Sequence, residues 1–261
     1  FICNEEHLRD TPMRSVLQRI APQGKILSIP PHKLGPVHAI MAHADHIPDD
    51  EPTIVNYCDF SWVWDYDAFK QHVEESQCDG CVVGYQGFHP HLIHNNLYAG
   101  VQYDADGRMT NIKEKTRFSP DAMGTFQSSG TYYFRSAKLM KTYMKRIMDE
   151  GASLNGEYYV STVFEPMLRD GLHCTIQSIP FMLQWGTPED FEEYKSWSKG
   201  FTRKAKGKMT RGEMLAKDHL VARDTMPVLD ESTKEKTYSY WQEYFHQNKD
   251  HAYDKSDDPE A

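Results

Sequence analysis

The stretch Thr53-Ile54-Val55-Asn56-Tyr57-Cys58-Asp59-Phe60 decides how this chain folds. It is a short run of β-branched and apolar residues that follows a proline- and aspartate-rich loop over residues 48–52. Such a run predicts a buried strand of a parallel sheet. Because open α/β sheets bind ligands beyond the carboxyl ends of their strands, Asp59 is a candidate Mg²⁺ ligand beside a nucleotide phosphate. A helix cap or an ordinary loop aspartate explains the residue equally well.

Composition places the chain among ordinary globular proteins. Its 261 residues allow one large domain or a domain with an appendage, and 39% hydrophobic and 26% charged residues are typical values. The net charge of -9 argues against a nucleic-acid partner, and no apolar stretch approaches the roughly 20 residues of a membrane span. The five cysteines are an odd, widely spaced set, which indicates reduced thiols in a cytoplasmic protein.

Strands and helices alternate along the first part of the chain. Short strands are predicted over residues 1–4 and 25–29, with helices that begin near Pro12 and Pro36, and a further strand covers 81–85. This alternation is typical of βαβ units and a parallel sheet. We therefore predict an α/β fold with a Rossmann-like, GT-A-type sheet, mostly parallel and flanked by helices.

The pattern changes in the middle and at the end of the chain. Residues 98–103 and 109–115 flank a turn and predict a β-hairpin insertion. From Lys199 a basic run is followed by two capping boxes and then by an acidic, polar end. We expect an α/β domain over 1–198, a helical C-terminal extension over 199–249 and a disordered acidic tail over 250–261.

Several short motifs occur in a specific order along residues 1–198. They are Gly35-Pro36-Val37-His38-Ala39, Asn56-Tyr57-Cys58-Asp59, Ile112-Lys113-Glu114-Lys115, Ser129-Gly130-Thr131-Tyr132, Asn155-Gly156-Glu157-Tyr158-Tyr159 and Trp185-Gly186-Thr187-Pro188-Glu189-Asp190. In this order they resemble the sugar-phosphate nucleotidyltransferases, or nucleotide-sugar pyrophosphorylases, particularly bacterial members linked to surface-polysaccharide pathways. No single motif is decisive, but the ordered set is specific.

The resemblance implies a reaction between a nucleoside triphosphate and a sugar 1-phosphate or similar phosphorylated acceptor, with release of pyrophosphate. Because one phosphate attacks another, several negative charges are brought together. Catalysis would therefore depend on positioning and on neutralisation by Mg²⁺ and cationic side chains. The resemblance also implies a cytoplasmic enzyme and leaves a homo-oligomer open.

The resemblance assigns individual residues to this reaction. Asp59 would hold the metal that bridges the triphosphate. Lys115 would meet the sugar phosphate as a point charge, and Glu114 would accept hydrogen bonds from sugar hydroxyls. The other implied contacts are Gly35, Pro36 and His38 with the nucleotide, and Gly130, Glu157 and Tyr158 with the acceptor.

The sequence departs from the family pattern in two places. The family begins with a strand and a glycine-rich loop that holds the triphosphate, whereas this sequence starts at the family's second strand. We expect that the full-length protein carries such a unit upstream; otherwise the chain does not catalyse this reaction as it stands. Gln184 occupies the position of a second metal-binding Asp, so another acid or more water would complete the site, since an amide is a weaker Mg²⁺ ligand.

Two other functions stay open. Asp65-Tyr66-Asp67 has the D-x-D spacing that many glycosyltransferases use to hold a metal on a nucleotide-sugar. Capping of the helix that begins at Ala68 is the preferred explanation of these aspartates. The absent glycine-rich loop and Gln184 are also compatible with a non-catalytic subunit that binds a nucleotide-sugar.

Overall fold

The computed structural model describes residues 1–87, 89–93, 98–120, 124–192, 194 and 195. Its strands are β1 (Ile2–Asn4), β2 (Leu27–Ile29), β3 (Thr53–Asn56), β4 (Phe60–Val63), β5 (Gly80–Tyr85), β6 (Gly100–Tyr103), β7 (Met109–Lys113), β8 (Phe126–Phe134), β9 (Cys174–Ser178) and β10 (Phe181–Gln184). The α-helices are α1 (Glu5–Asp10), α2 (Met13–Ile20), α3 (Pro36–Met41), α4 (Tyr66–Ser76), α5 (Ala137–Asp149) and α6 (Phe164–Arg169). The predicted extension over 199–249 and the tail over 250–261 lie outside the described residues.

The central sheet is mixed, so the prediction of a mostly parallel sheet is wrong. Strand β8 lies in the middle, antiparallel to β5 on one side and to β3 and β6 on the other. Strands β5 and β9 are parallel, and β1 pairs in parallel with β2 as a separate ribbon. Every residue of β8 is buried, as in the core strand of a parallel sheet. An apolar pattern of this kind reports burial and not strand direction. The sequence therefore did not show that β8 runs antiparallel to its neighbours.

The stretch Thr53–Phe60 forms a turn between two strands instead of one continuous strand. Strand β3 ends at Asn56, and it runs antiparallel along β8 instead of belonging to a parallel pair. Strand β4 begins at Phe60, leaves the central sheet and pairs antiparallel with β10. Asp59 therefore lies in the turn through which the chain passes from the central sheet to the β4–β10 ribbon.

The predicted β-hairpin is confirmed as β6 and β7. The Asp104 carboxylate accepts hydrogen bonds from the backbone N–H groups of Asp106 and Arg108, each at 3.0 Å, and Gly107 has a φ of 76°. This Asx-type turn reverses the chain as its sequence predicts. Strand β7 then leads directly into Glu114 and Lys115, which places both residues at the end of a strand of the central sheet.

The apolar core lies on both faces of the central sheet. Along β5, Val82 belongs to the cluster that α5 and α6 cover, whereas Cys81 and Val83 belong to the cluster that Phe69 of α4 covers. This alternation follows from the two-residue period of a strand. Helices thus flank the sheet as predicted.

All five cysteines are free, and the Cys78/Cys81 pair lies buried at the start of β5 without forming a disulfide. Within the described residues, none of the helices has the length and apolarity that a membrane-spanning helix requires.

Candidate active site

A cavity of about 630 Å³ opens where the ends of β3 and β7 and the middle of β8 meet the β4–β10 ribbon, Glu157 and Tyr159. Five residues named by the resemblance line this cavity although the sequence separates them by up to 98 positions. They are Asp59, Glu114, Lys115, Gly130 and Glu157. Tertiary structure therefore brings together the proposed metal ligand and most of the proposed acceptor-binding residues.

Gly130 shapes the floor of the cavity. Its φ is 91°, and a Cβ at this position would lie 3.0 Å from both the Phe60 and the Tyr57 ring. The pairing of β5 with β8 shifts register beside it, which marks a bulge in β8. The space next to Gly130 is thus occupied by two aromatic rings of this chain, and these rings line the cavity themselves.

Glu114 lies partly buried beneath the cavity. Its carboxylate accepts a hydrogen bond from the hydroxyl of Ser161, in the 3₁₀ turn that precedes α6. Burial raises the pKa of the Glu114 carboxyl, against the Ser161 hydrogen bond and the charge of Lys115, which lower it. Ser161 was not predicted from the sequence, because only the tertiary fold brings it to Glu114.

Replacing Glu114 with Gln is expected to stabilise the protein at neutral pH. The folded-state pKa of Glu114 is raised, so the folded state binds more protons than the unfolded state between the two pKa values. The free energy of unfolding therefore falls as the pH rises through this window from about 4.3, the usual glutamate pKa. Above it, the Glu114→Gln variant should be more stable than the wild type, and the difference should disappear at lower pH.

Urea unfolding of both proteins across this pH range is the measurement. The matched control is Glu74→Gln, on an exposed face of α4. An equal stability difference between Glu114→Gln and the wild type at every pH would contradict the assignment of a burial cost to this carboxylate.

Lys115 is held at the cavity by its neighbours. Its backbone is in the left-handed region, with a φ of 52°, and its ammonium group donates a hydrogen bond of 2.9 Å to the Tyr159 hydroxyl. The same hydroxyl donates to the Glu157 carboxylate. Glu157 and Tyr159 both line the cavity.

Tyr158, which the resemblance assigns to the acceptor pocket, lies elsewhere. Its side chain packs against the apolar cluster on the α5–α6 face of the sheet. Residues 157 and 159 face the cavity together, as alternate residues of an extended segment do. The alternation of side chains along this segment, counted from Glu157, could therefore have indicated Tyr159 instead of Tyr158 as a residue of the acceptor pocket.

The three residues assigned to the nucleotide, Gly35, Pro36 and His38, are not among the residues that line this cavity. Gly35 has a φ of 83°, and a Cβ there would lie 2.7 Å from the backbone N and O of Tyr158. Hydrogen bonds from Tyr158 N–H to Leu34 O and from Val37 N–H to Tyr158 O enclose this contact. The start of α3 at Gly35 therefore packs against the backbone of Tyr158, whose two chain neighbours line the cavity.

The imidazole of His38 is partly buried in α3, 4.9 Å from the His32 ring. Burial lowers the pKa of His38, and the nearby His32 lowers it further. A neutral imidazole can donate and accept hydrogen bonds, as a nucleotide base requires.

Replacing Gly35 with Ala is expected to destabilise the protein by about 2 to 4 kcal/mol, since it combines a strained backbone with a clash against fixed backbone atoms. Gly171→Ala is the matched control, because its φ is 79° but the space around it is open. That control should lose about 1 kcal/mol. Urea unfolding measures both, and equal losses would show that the contact with Tyr158 has no energetic role.

Asp59 lies beside the segment that follows β10. Its backbone carbonyl accepts a hydrogen bond of 2.9 Å from the Trp185 N–H. Gly186 lies close to the Asp59 carboxylate: a Cβ at position 186 would lie 3.0 Å from Asp59 Oδ2 and 3.6 Å from Asp190 Oδ2. Gln184 Nε2 is 2.6 Å from the same point and donates to Asp190 Oδ2 at 3.4 Å.

Asp190 also closes a capping box. Its Oδ2 accepts from the Thr187 N–H at 2.9 Å, and its own N–H donates to Thr187 Oγ1 at 3.1 Å. In the described part of the chain, no group of three or more His, Cys, Asp or Glu side chains is placed to hold a metal ion. The two carboxylates beside Gly186 are those of Asp59 and Asp190, and the Gln184 Nε2 next to them is a hydrogen-bond donor, which cannot bind a cation.

The aspartates of the D-x-D sequence do not line the cavity. The Asp65 carboxylate accepts a hydrogen bond of 2.9 Å from the Ala68 N–H at the start of α4, so it caps this helix. Asp67 forms an ion pair of 2.7 Å with Lys70 on the exposed face of the same helix. Capping, the preferred explanation from the sequence, is confirmed for Asp65.

No protein-family model matches the sequence, and no curated protein matches it significantly. Solved structures do match the fold. One is a nucleoside-diphosphate-sugar pyrophosphorylase from Vibrio cholerae, with a TM-score of 0.56 and 15% identity over 74% of this chain and 78% of the other. Another is described as a glucose-1-phosphate thymidylyltransferase from Bacillus anthracis, solved with sucrose. Its TM-score is 0.55, with 17% identity over 73% of this chain and 72% of the other.

These similarities concern the fold, which the motif order of the sequence had indicated. The mixed central sheet of this chain and its flanking helices match the fold of these two solved structures. In fold, the chain is therefore similar to nucleotide-sugar pyrophosphorylases, as the resemblance of its motifs predicts.

Proposed function

We propose that this protein transfers a nucleotidyl group from a nucleoside triphosphate to a sugar 1-phosphate or a similar phosphorylated acceptor, with release of pyrophosphate. The observation that supports this most strongly is the position of Asp59 in the same cavity as Glu114 and Lys115. The cavity is lined by carboxylates that could hold a metal and by a cation with a neighbouring hydrogen-bond acceptor. Its volume is within the range of small-molecule sites.

The chemistry requires a phosphate oxygen of the acceptor to attack the α-phosphorus of the triphosphate while the bond to pyrophosphate breaks. In the proposal, Lys115 holds the acceptor phosphate and offsets part of its negative charge. Glu114 accepts a hydrogen bond from an acceptor hydroxyl and so fixes the orientation of the attacking phosphate. Such positioning replaces a bimolecular encounter by a reaction within one complex, which lowers the barrier without covalent participation of the protein.

A Mg²⁺ ion at the carboxylates of Asp59 and Asp190 is part of the proposal. Both carboxylates lie beside Gly186, although the Gln184 Nε2 donor is nearer than either to the position of a Cβ there. Mg²⁺ is commonly held by one or two carboxylates together with substrate phosphates and water, so a third acidic ligand is not required. When bound, the ion would supply positive charge to the triphosphate. Asp59 is its proposed ligand, and Asp190 is the acid available in place of the aspartate that Gln184 replaces.

The proposal extends to the cellular role implied by the motifs. A sugar nucleotidyltransferase of this kind would work in the cytoplasm and supply activated sugars for bacterial surface polysaccharides. Its partners are then small molecules, and the chain is compatible with a homo-oligomer.

A substrate panel tests the function. The full-length protein is incubated with each of the common nucleoside triphosphates, a set of sugar 1-phosphates and other phosphorylated acceptors, and Mg²⁺, and pyrophosphate is measured. We expect release that requires both a triphosphate and an acceptor. Pyrophosphate release with no acceptor requirement would contradict nucleotidyl transfer.

The same panel distinguishes the alternatives. A glycosyltransferase would consume a preformed nucleotide-sugar and release a nucleoside diphosphate. A non-catalytic subunit would bind nucleotide-sugars, which calorimetry would detect, but would not release pyrophosphate with any combination of triphosphate and acceptor.

A further inference from the structure

We propose that Tyr159 is a positioning residue that holds the Lys115 ammonium group at the acceptor phosphate, and that the Glu157 carboxylate fixes the tyrosine in turn. The inference rests on the proposed nucleotidyl transfer and adds two residues with stated roles to it. It assigns Glu157 to the orientation of Tyr159 instead of to direct contact with the acceptor.

The first step is the geometry of Lys115. A lysine side chain has several rotatable bonds and loses conformational entropy when it is fixed. Here the ammonium group donates a hydrogen bond of 2.9 Å to the Tyr159 hydroxyl, and its nitrogen lies 4.9 Å from the centre of the same ring, beyond the hydroxyl edge. This hydrogen bond restricts the ammonium group to the Tyr159 side of the cavity.

The second step is the direction of the hydrogen bonds. An ammonium group can only donate and an ionised carboxylate can only accept, whereas a tyrosine hydroxyl does both. The hydroxyl therefore accepts from Lys115 and donates to Glu157. This order orients the hydroxyl lone pairs toward the lysine, and a hydrogen bond that a neighbour polarises is strengthened.

The third step concerns the charge that remains for the substrate. The hydrogen bond of Lys115 goes to a neutral hydroxyl, not to the nearby Glu157 carboxylate. The ammonium group has three N–H donors, and one of them is used by Tyr159. Its charge and its other donors are thus available to a phosphate group in the cavity. A direct ion pair with Glu157 would have placed a negative charge in contact with the same ammonium group.

The fourth step is the support of Tyr159 by its surroundings. Its backbone carbonyl accepts a hydrogen bond of 2.8 Å from Thr162 Oγ1, in the turn that also carries Ser161. Ser161 in turn donates to Glu114. The segment 157–162 therefore supports both side chains at the end of β7, Glu114 through Ser161 and Lys115 through Tyr159.

The experiment uses Tyr159→Phe in the full-length protein, which keeps the aromatic ring and removes the hydroxyl. Loss of one hydrogen bond to a charged group predicts an increase in the KM for the phosphorylated acceptor of about tenfold, with the KM for the triphosphate unchanged. In the Lys115→Ala background, Tyr159→Phe should have no further effect on the acceptor KM, because the group that it positions is gone. Binding of inorganic phosphate, measured by calorimetry, should weaken in parallel.

The matched control is Tyr143→Phe. The Tyr143 hydroxyl also donates to a carboxylate, Asp170 Oδ2 at 2.8 Å, but it lies outside the cavity. The Tyr143→Phe variant should leave both KM values unchanged. Glu157→Gln is the second variant: it keeps an acceptor for the tyrosine and should raise the acceptor KM less than Tyr159→Phe does.

The outcomes separate this inference from the proposed function. If Lys115→Ala leaves the acceptor KM unchanged, the assignment of the lysine in the proposed function is wrong. If Lys115→Ala raises it but Tyr159→Phe has the same effect in both backgrounds, or changes both KM values equally, only the positioning role is overturned. Absence of phosphate binding to the wild type would contradict both.

Discussion

Replacing Asp59 with Asn is expected to reduce pyrophosphate release by at least about a hundredfold. The substitution keeps the size of the side chain but exchanges a charged metal ligand for a neutral amide. The Asp59 and Asp190 carboxylates both lie beside Gly186, and an amide is a weaker ligand for Mg²⁺ than a carboxylate. Metal ions contribute several kcal/mol of charge stabilisation, and each 1.36 kcal/mol corresponds to a factor of ten in rate.

Two measurements test the role of Asp59. Initial rates of pyrophosphate release are compared over a range of Mg²⁺ concentrations, and Mn²⁺ binding is followed by electron paramagnetic resonance as a readout independent of turnover. The variant should bind Mn²⁺ more weakly than the wild type. Near-normal turnover with unchanged Mn²⁺ affinity would remove Asp59 from the metal site.

Asp65→Asn is the matched control for this experiment. It also removes a carboxylate, but Asn caps helices as well as Asp does, so α4 should keep its N-terminal hydrogen bond to Ala68. We expect little change in turnover and in Mn²⁺ affinity. A loss of Mn²⁺ binding in Asp65→Asn would instead favour the glycosyltransferase interpretation of the D-x-D sequence.

Replacing Lys115 with Ala should raise the KM for the phosphorylated acceptor by about 10- to 100-fold and affect the triphosphate much less. The ammonium group lines the cavity beside Glu114, on the acceptor side of the proposed site. Hydrogen bonds that involve charged groups contribute roughly 1.5–3 kcal/mol, which corresponds to this range. Initial-rate kinetics in which each substrate is varied in turn measure the two effects separately.

The control for Lys115 is Lys113→Ala, two residues earlier in β7. Lys113 is exposed and does not line this cavity, so the variant loses a positive charge without a change in the site. Both KM values should stay close to those of the wild type. An equal increase in both KM values for Lys115→Ala would mean that the lysine contacts the triphosphate or that its loss disturbs the whole cavity.

The direction of β8 is the part of the fold that could not be predicted from the sequence. Apolar runs such as Ile54-Val55 and Val82-Val83 indicate buried strands, and the structure contains both strands, as β3 and β5. The residues of β5 are buried as predicted, whereas Ile54 and Val55 of β3 are only half-buried. A buried run has the same composition whether its neighbours are parallel or antiparallel. The direction of a strand depends on how the connections run in space. Here β8 follows the β6–β7 hairpin along the chain and lies between β5 on one side and β3 and β6 on the other.

The candidate site was also only partly predictable from the sequence. Asp59, Glu114 and Lys115 could be named from short motifs, because the proposed chemistry requires charged residues at the ends of strands. Tyr159 stands in one of these motifs, but its contacts with Lys115 and Glu157 became visible only in the folded chain. Gly35 was assigned to the nucleotide, and the structure shows it in contact with the backbone of Tyr158.

By itself, the sequence determined the class of the fold, the hairpin around residues 104–107, the capping of α4 by Asp65 and the charged residues at the strand ends. These features depend on residues that are close together along the chain, where side-chain periodicity and turn chemistry act directly. Only the tertiary structure decided the mixed order of the sheet, the cavity that Asp59 shares with Lys115, and the contact of Lys115 with Tyr159. Each of these joins segments separated by tens of residues, and the energies that select them come from packing and hydrogen bonds that exist only once the chain has folded.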